Sequence, residues 1–137
     1  MEIVDKNTNQ TIKEIAEHYN LDLVVLFGSH SKDRATKESD IDIGIFRKTS
    51  GVTFEDQIAL SGKFSELFKN NDIDIGVISS NNPILMFSIL KYGKVLYTTE
   101  NRLVDTLRLY AWKLVAESKS FRDHSFFILK NRIASLN

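Results

Sequence analysis

The sequence predicts an α/β fold: one domain of about four strands flanked by helices, followed by a long helical segment. Three features predict it. Four apolar runs, LDLVVLF (21–27), IDIGIF (41–46), IDIGVI (73–78) and KVLYT (94–98), are rich in β-branched residues and too short for ordinary helices. Most of the chain between them keeps the spacing of amphipathic helices. From Thr99 to about Ala134 there is no Gly or Pro to interrupt a helix.

The elements follow in order. TIKEIAEHY opens with Thr11 and has Glu14 three residues on, a capping box, with Ile12, Ile15, Ala16 and Tyr19 on one helical face. LDLVVLF is stopped by Gly28, and polar residues then run from Ser29 to Ser39 before IDIGIF. Thr53 begins TFEDQIALSGKFSELF, whose Phe54, Ile58, Ser61, Phe64 and Phe68 keep near-helical spacing around Gly62. After IDIGVI, Pro83 stands where a helix would start and Gly93 where it would stop, and KVLYT follows. The remainder places Leu103, Leu107, Tyr110, Ala111, Leu114 and Val115 at helical intervals. Unbroken, it would extend about 50 Å, against a radius of gyration of about 14 Å for a compact chain of this length. It must therefore break near Glu117 to Ser120 or lean on something else. Phe121, Phe126, Phe127 and Ile128 in its end would either form an exposed interface patch or fold back onto the sheet. Residues 1–98 thus read as the core, and 99–137 as a helical segment of the same domain and a candidate partner-binding surface.

Composition narrows the function. Lys+Arg and Asp+Glu number 18 each in 137 residues, so no global basic field exists to attract long nucleic acid. Cysteine is absent, which excludes disulfides and thiolate metal sites and fits a reducing compartment, so a cytoplasmic location is expected. MEIVDKNTNQ lacks a basic start followed by an apolar stretch, and nowhere do 18 apolar residues run together, so neither secretion nor a membrane span is expected. No GxxxxGK[ST], GxSxG or HExxH pattern occurs. His18 and His124 read as surface residues, His30 as a candidate to touch phosphate, and Trp112 as core or partner contact.

The chemistry lies in a pentapeptide that occurs twice, DIDIG at 40–44 and again at 72–76. In a strand, Asp40 and Asp42 project to one face while Ile41, Ile43 and Ile45 project to the other. If the two runs are neighbours, Asp74 joins the first pair and three carboxylates meet. Such a cluster suits magnesium, a hard ion held by carboxylates together with substrate phosphates. Any single aspartate is more often a solvated strand-end residue. The combination is more informative, because Gly28-Ser29 follows a strand and ten residues, HSKDRATKES, separate it from Asp40-Ile41-Asp42. At ordinary residue usage that pattern arises by chance in roughly one such chain in several hundred. Gly28 permits a sharp turn close to a phosphate, and the Ser29 hydroxyl with nearby N–H groups can bind phosphate oxygens.

LFGSHSKDRATKESDIDIGIF, with Asp74 on a later strand, resembles the minimal nucleotidyltransferases of the DNA polymerase β-like superfamily, over about residues 10–98. The resemblance implies a nucleotidyltransferase fold with a mixed sheet. It implies that Gly28 and Ser29 grip a triphosphate, and that Asp40, Asp42 and Asp74 hold magnesium, two ions in all, with Asp74 favouring loss of the acceptor's proton. Asp72 matches no family position and reads as the residue leading into its strand. Relatives commonly read Gly-Ser-Arg-x-x-Gly; here His30 replaces the Arg and Asp33 the second Gly, leaving Lys32 or Arg34 to supply the charge. More narrowly, the short length and helical end resemble MntA-type antitoxins paired with HEPN-domain ribonuclease toxins. That implies AMP transfer from ATP to a tyrosine hydroxyl of the toxin and a hetero-oligomer with it. Two other readings stay open: an antitoxin that blocks the toxin by binding alone, and a nucleotidyltransferase acting on a small molecule such as an aminoglycoside.

Overall fold

A computed structural model describes residues 5–28 and 40–135. Along the chain these form α1 (Lys6–His18), β1 (Leu23–Phe27), β2 (Ile41–Phe46), α2 (Phe54–Phe68), β3 (Ile73–Val77), α3 (Pro83–Tyr92), β4 (Lys94–Thr98), α4 (Leu103–Glu117) and α5 (Lys119–Ala134). The strands make one mixed sheet in the order β3-β2-β1-β4, with β2 and β3 parallel and the other pairs antiparallel.

Alternation along the strands divides the core into two layers. Val24, Leu26, Ile41, Ile43 and Ile45 face α1 and α2, where Ile12, Ile15, Ala16, Leu60 and Phe64 meet them. Leu23 and Val25 face the other way, onto Met86, Ile89 and Leu90 of α3 and Leu103, Val104, Leu107 and Ala111 of α4. Asp42 and Gly44 alternate with the three β2 isoleucines and so lie on this second face.

Most elements match the expected ones, with one boundary and two buried faces that differ. The helix expected to be capped by Thr11 is capped six residues earlier, because the Asp5 carboxylate accepts the Thr8 N–H at 2.8 Å. Thr11 sits inside it and donates its hydroxyl to the Asn7 carbonyl, so Thr11 and Glu14 form no cap. In α2 the face expected from Phe54, Ile58, Ser61, Phe64 and Phe68 is buried only in its second half: Phe64 is fully buried with Leu60, and Phe68 packs against the core, whereas Phe54 is 73% and Ile58 58% exposed. The helix packs on β3, the edge strand, and among the described residues no further strand covers its first turns. The third difference is in α4, where Val104 is buried and Tyr110 exposed. The helical end breaks at Ser118, whose extended φ/ψ of −73° and 145° closes α4. Of the end's aromatic and aliphatic side chains, Phe127 and Ile128 are exposed; Phe121 and Phe126 lie outside the described side chains. Among the described residues no helix is long and apolar enough to cross a membrane.

Two consequences for stability can be measured. The β2–β3 register sets Gly44 beside Gly76, under Ile89. A Cβ at Gly44 would stand 2.8 Å from Ile89 Cγ2, whereas at Gly76 the nearest atom is 3.5 Å away. Gly44→Ala should therefore cost about 1–3 kcal/mol by overpacking, and Gly76→Ala should be neutral or add up to about 1 kcal/mol, read from urea midpoints. At the start of α2, Thr53 and Asp56 form a reciprocal capping box. The Thr53 N–H bonded to Asp56 holds that carboxyl below its usual range. Stability from a depressed carboxyl is present above its unfolded value and lost as pH falls through the folded one. Asp56→Asn should flatten the acid limb of the unfolding curve.

Candidate functional site

The carboxylates stand at the end of the sheet where β1 stops and β2 and β3 start. Phe27 pairs with Asp42, and Asp42 with Asp74, so the three form one row across three strands on the α3 face. Neighbouring strands lie about 4.8 Å apart, which brings two carboxylates side by side. Asp42 is half-buried and Asp74 exposed. Gly28, the next residue after β1, has φ of 76°, a left-handed conformation that costs other L-residues roughly 1–2 kcal/mol. It also lies directly against Asp42, since a Cβ at position 28 would run into that carboxylate. The bend and the acidic pair are one site.

Other expected site residues are distributed differently. Among the described residues no three His, Cys, Asp or Glu side chains are grouped to hold a metal ion; the strand register aligns Asp42 with Asp74 and does not extend to Asp40. Asp40 is exposed and precedes the first paired residue of β2, where the Ile41 N–H donates to the Asp72 carbonyl at 2.9 Å. Among the described residues no ladder bond beyond that point fixes Asp40. Asp72 is an exposed residue leading into β3, its N–H donating to Asn70 Oδ1 at 2.8 Å. Ser29, His30, Lys32 and Arg34 lie outside the described residues. His18 is exposed with its ring edge-on to Tyr19.

Sequence reasoning missed the residues beneath the carboxylates: Phe27, Gly44, Gly76 and Ile89. Phe27 Cζ and Ile89 Cδ1 come within 3.5 and 3.6 Å of the position a Cβ at Gly76 would take. A signal was present, because each DIDIG ends in a glycine, and glycine inside a strand marks close approach by something else.

The donor set fits a hard divalent cation: oxygen ligands on adjacent strands, with a small-residue bend against one of them. The family model for polymerase beta nucleotidyltransferases matches residues 10–102. The chain belongs to that family. Solved structures agree on the nucleotidyltransferase fold. One is a toxin–antitoxin crystal structure with AMP-PNP, at TM-score 0.67 and 21% identity, covering 91% of this chain and 98% of that one. Another is a tri-AMPylated Shewanella oneidensis HEPN toxin in complex with MNT antitoxin, at TM-score 0.62 and 20% identity, covering 93% and 98%. A third, also from Shewanella oneidensis, has TM-score 0.64 and 18% identity, covering 95% and 99%. Among curated proteins nothing matches.

Gly28→Ala tests whether bend and carboxylate form one unit. It should lower stability by at least the roughly 1–2 kcal/mol of the left-handed backbone, and Asp42→Ala should recover part of that loss by making room for the new methyl. Additive losses in a double-mutant cycle would show the two residues to be independent.

Proposed function

We propose that the protein is a magnesium-dependent antitoxin that transfers AMP from ATP to a tyrosine hydroxyl of a HEPN-domain ribonuclease toxin and thereby neutralises it. The observation that carries this reading is the row of Asp42 and Asp74 on adjacent strands, with Gly28 packed against Asp42. Family membership supports nucleotidyl transfer. Likeness to chains from a toxin–antitoxin structure with AMP-PNP and from an AMPylated HEPN toxin complex supports the nucleotide and the partner.

In this reading Gly28, Ser29, His30, Lys32 and Arg34 engage the triphosphate, and Asp40, Asp42 and Asp74 hold Mg2+. Bound there, magnesium supplies charge neutralisation at the phosphates and makes the acceptor hydroxyl easier to ionise. The tyrosine oxygen bonds to the α-phosphorus, the bond from that phosphorus to the bridging oxygen breaks, and pyrophosphate leaves. The phenolic proton is released toward Asp74. Docking of the toxin falls to the apolar surface of the helical end: Leu109 and Trp112 on α4 are 72% and 62% exposed, and Phe127 and Ile128 on α5 are also exposed. Aromatic anchors of this kind dominate many protein interfaces. The same surface favours a second reading, an antitoxin that acts by covering its partner without chemistry.

Purified protein incubated with labelled ATP, Mg2+ and the HEPN partner should label the partner, and EDTA should stop it. Asp42→Asn should lower transfer by at least about a hundredfold and lose neutralisation in cells. Trp112→Glu should weaken partner binding while the fold is kept. Neutralisation undiminished by Asp42→Asn but lost with Trp112→Glu would replace the catalytic reading with the covering one.

A further inference from the structure

Phe27 has no part in the reaction as written above, yet it pairs with Asp42 across β1 and β2 on the carboxylate face. Its ring reaches far. Cζ and Cε1 lie 3.5 and 3.8 Å from the place of a Cβ on Gly76, which is on β3, two strands from Phe27. The ring therefore crosses β2 on the inward side of Asp42 and arrives beside the strand that carries Asp74. Ile89 of α3 closes the slot, with Cγ2 2.8 Å from a Cβ on Gly44 and Cδ1 3.6 Å from one on Gly76. Neither the ring nor the isoleucine would fit so close if residues 44 and 76 carried large side chains.

We propose that Phe27 is a positioning residue: seated over Gly76 against Ile89, its ring is an apolar floor that fixes how Asp42 and Asp74 turn, and so their oxygens' spacing for a divalent cation. The proposal rests on the metal-dependent reading given above. Two carboxylates set side by side repel, and without a barrier each can swing away from the other over the bare glycine backbone. A ring packed in that space removes the inward rotamers. Its low polarity also strengthens the attraction between the carboxylates and a cation. Supporting groups of this sort typically change metal affinity about ten- to a hundredfold when removed. A ring that only filled the core would cost stability when removed and leave cation affinity unchanged in the molecules that remain folded.

The test is titration of Mn2+ alone into the full chain, without nucleotide, for wild type, Phe27→Ala and Phe27→Leu, each shown by thermal melting to be folded, with AMP transfer measured in parallel. Phe27→Ala should weaken Mn2+ about tenfold or more, and Phe27→Leu, which is apolar but lacks the Cζ and Cε1 that reach Gly76, should fall between Phe27→Ala and wild type. Should Phe27→Ala not fold, Gly76→Val, which drives the ring outward against the carboxylates, should weaken Mn2+ to a similar degree. Equal Mn2+ response in wild type and the folded variant, including no response in either, overturns the floor. Weakened Mn2+ binding alongside a wild type that transfers no AMP would remove the transferase reading and leave the floor standing.

Discussion

The parallel pairing of β2 with β3 is the constraint on which the site depends. It sets Asp42 beside Asp74 and Gly44 beside Gly76, and like charges directly opposite one another destabilise a sheet by roughly 0.2–1 kcal/mol. Apolar burial on the opposite face decides the outcome. Ile41, Ile43 and Ile45 are at most 2% exposed, and full burial of such a side chain contributes about 1.5–3 kcal/mol. A slip of one residue would turn these isoleucines toward the aspartate face and carry carboxylates into the layer under α1 and α2. The isoleucines therefore fix the register, and the carboxylates are aligned as its consequence.

That alignment was legible because both halves of the pattern are short-range: the alternation of Asp and Ile shows which side chains share a face, and Gly28-Ser29 at its spacing shows where a bend meets them. The two capped helices that start at Thr53 and Pro83 were legible for the same reason, since their signals are local. What escaped was tertiary. The face of α2 could not be read from its spacing, because whether Phe54 and Ile58 are covered depends on how many strands lie beyond β3. The start of α1 was misread because two local caps compete, and the Asp5 carboxylate with the Thr8 N–H prevails over Thr11 with Glu14. In the candidate site the sequence reading singled out the aspartates and passed over the glycines, although both occur in each copy of the pentapeptide. A glycine's role is visible only in what comes close to it, and neither the Phe27 ring nor Ile89 is near Gly76 in sequence. Asp40 shows the opposite limit. Alternation assigns it a face, but one residue beyond the last ladder bond alternation no longer fixes a position.

The Arg47 clasp and the candidate site lie at opposite ends of β2. Where β2 ends, Arg47 donates to the Tyr19 carbonyl from both Nε and Nη2 and to the Gly51 carbonyl and Asp56 from Nη1. One guanidinium, its side chain only 9% exposed, thus ties the end of α1, the loop after β2 and the start of α2. A planar donor in so many bonds is rigid, and removing it would leave the half-buried Tyr19 carbonyl without its two Arg47 donors. Where β2 begins, the arrangement is the reverse: a bend, a row of acidic side chains and an exposed Asp40, with no comparable clasp described. Such a division suits the proposed function, in which the carboxylate end would admit phosphates and a second macromolecule. Groups of that kind need solvent access and room, and they are placed accurately only if the strands bearing them are fixed elsewhere. In this fold the isoleucine layer and the Arg47 clasp supply the fixing, so the register that aligns Asp42 with Asp74 does not depend on contacts at the carboxylate end itself.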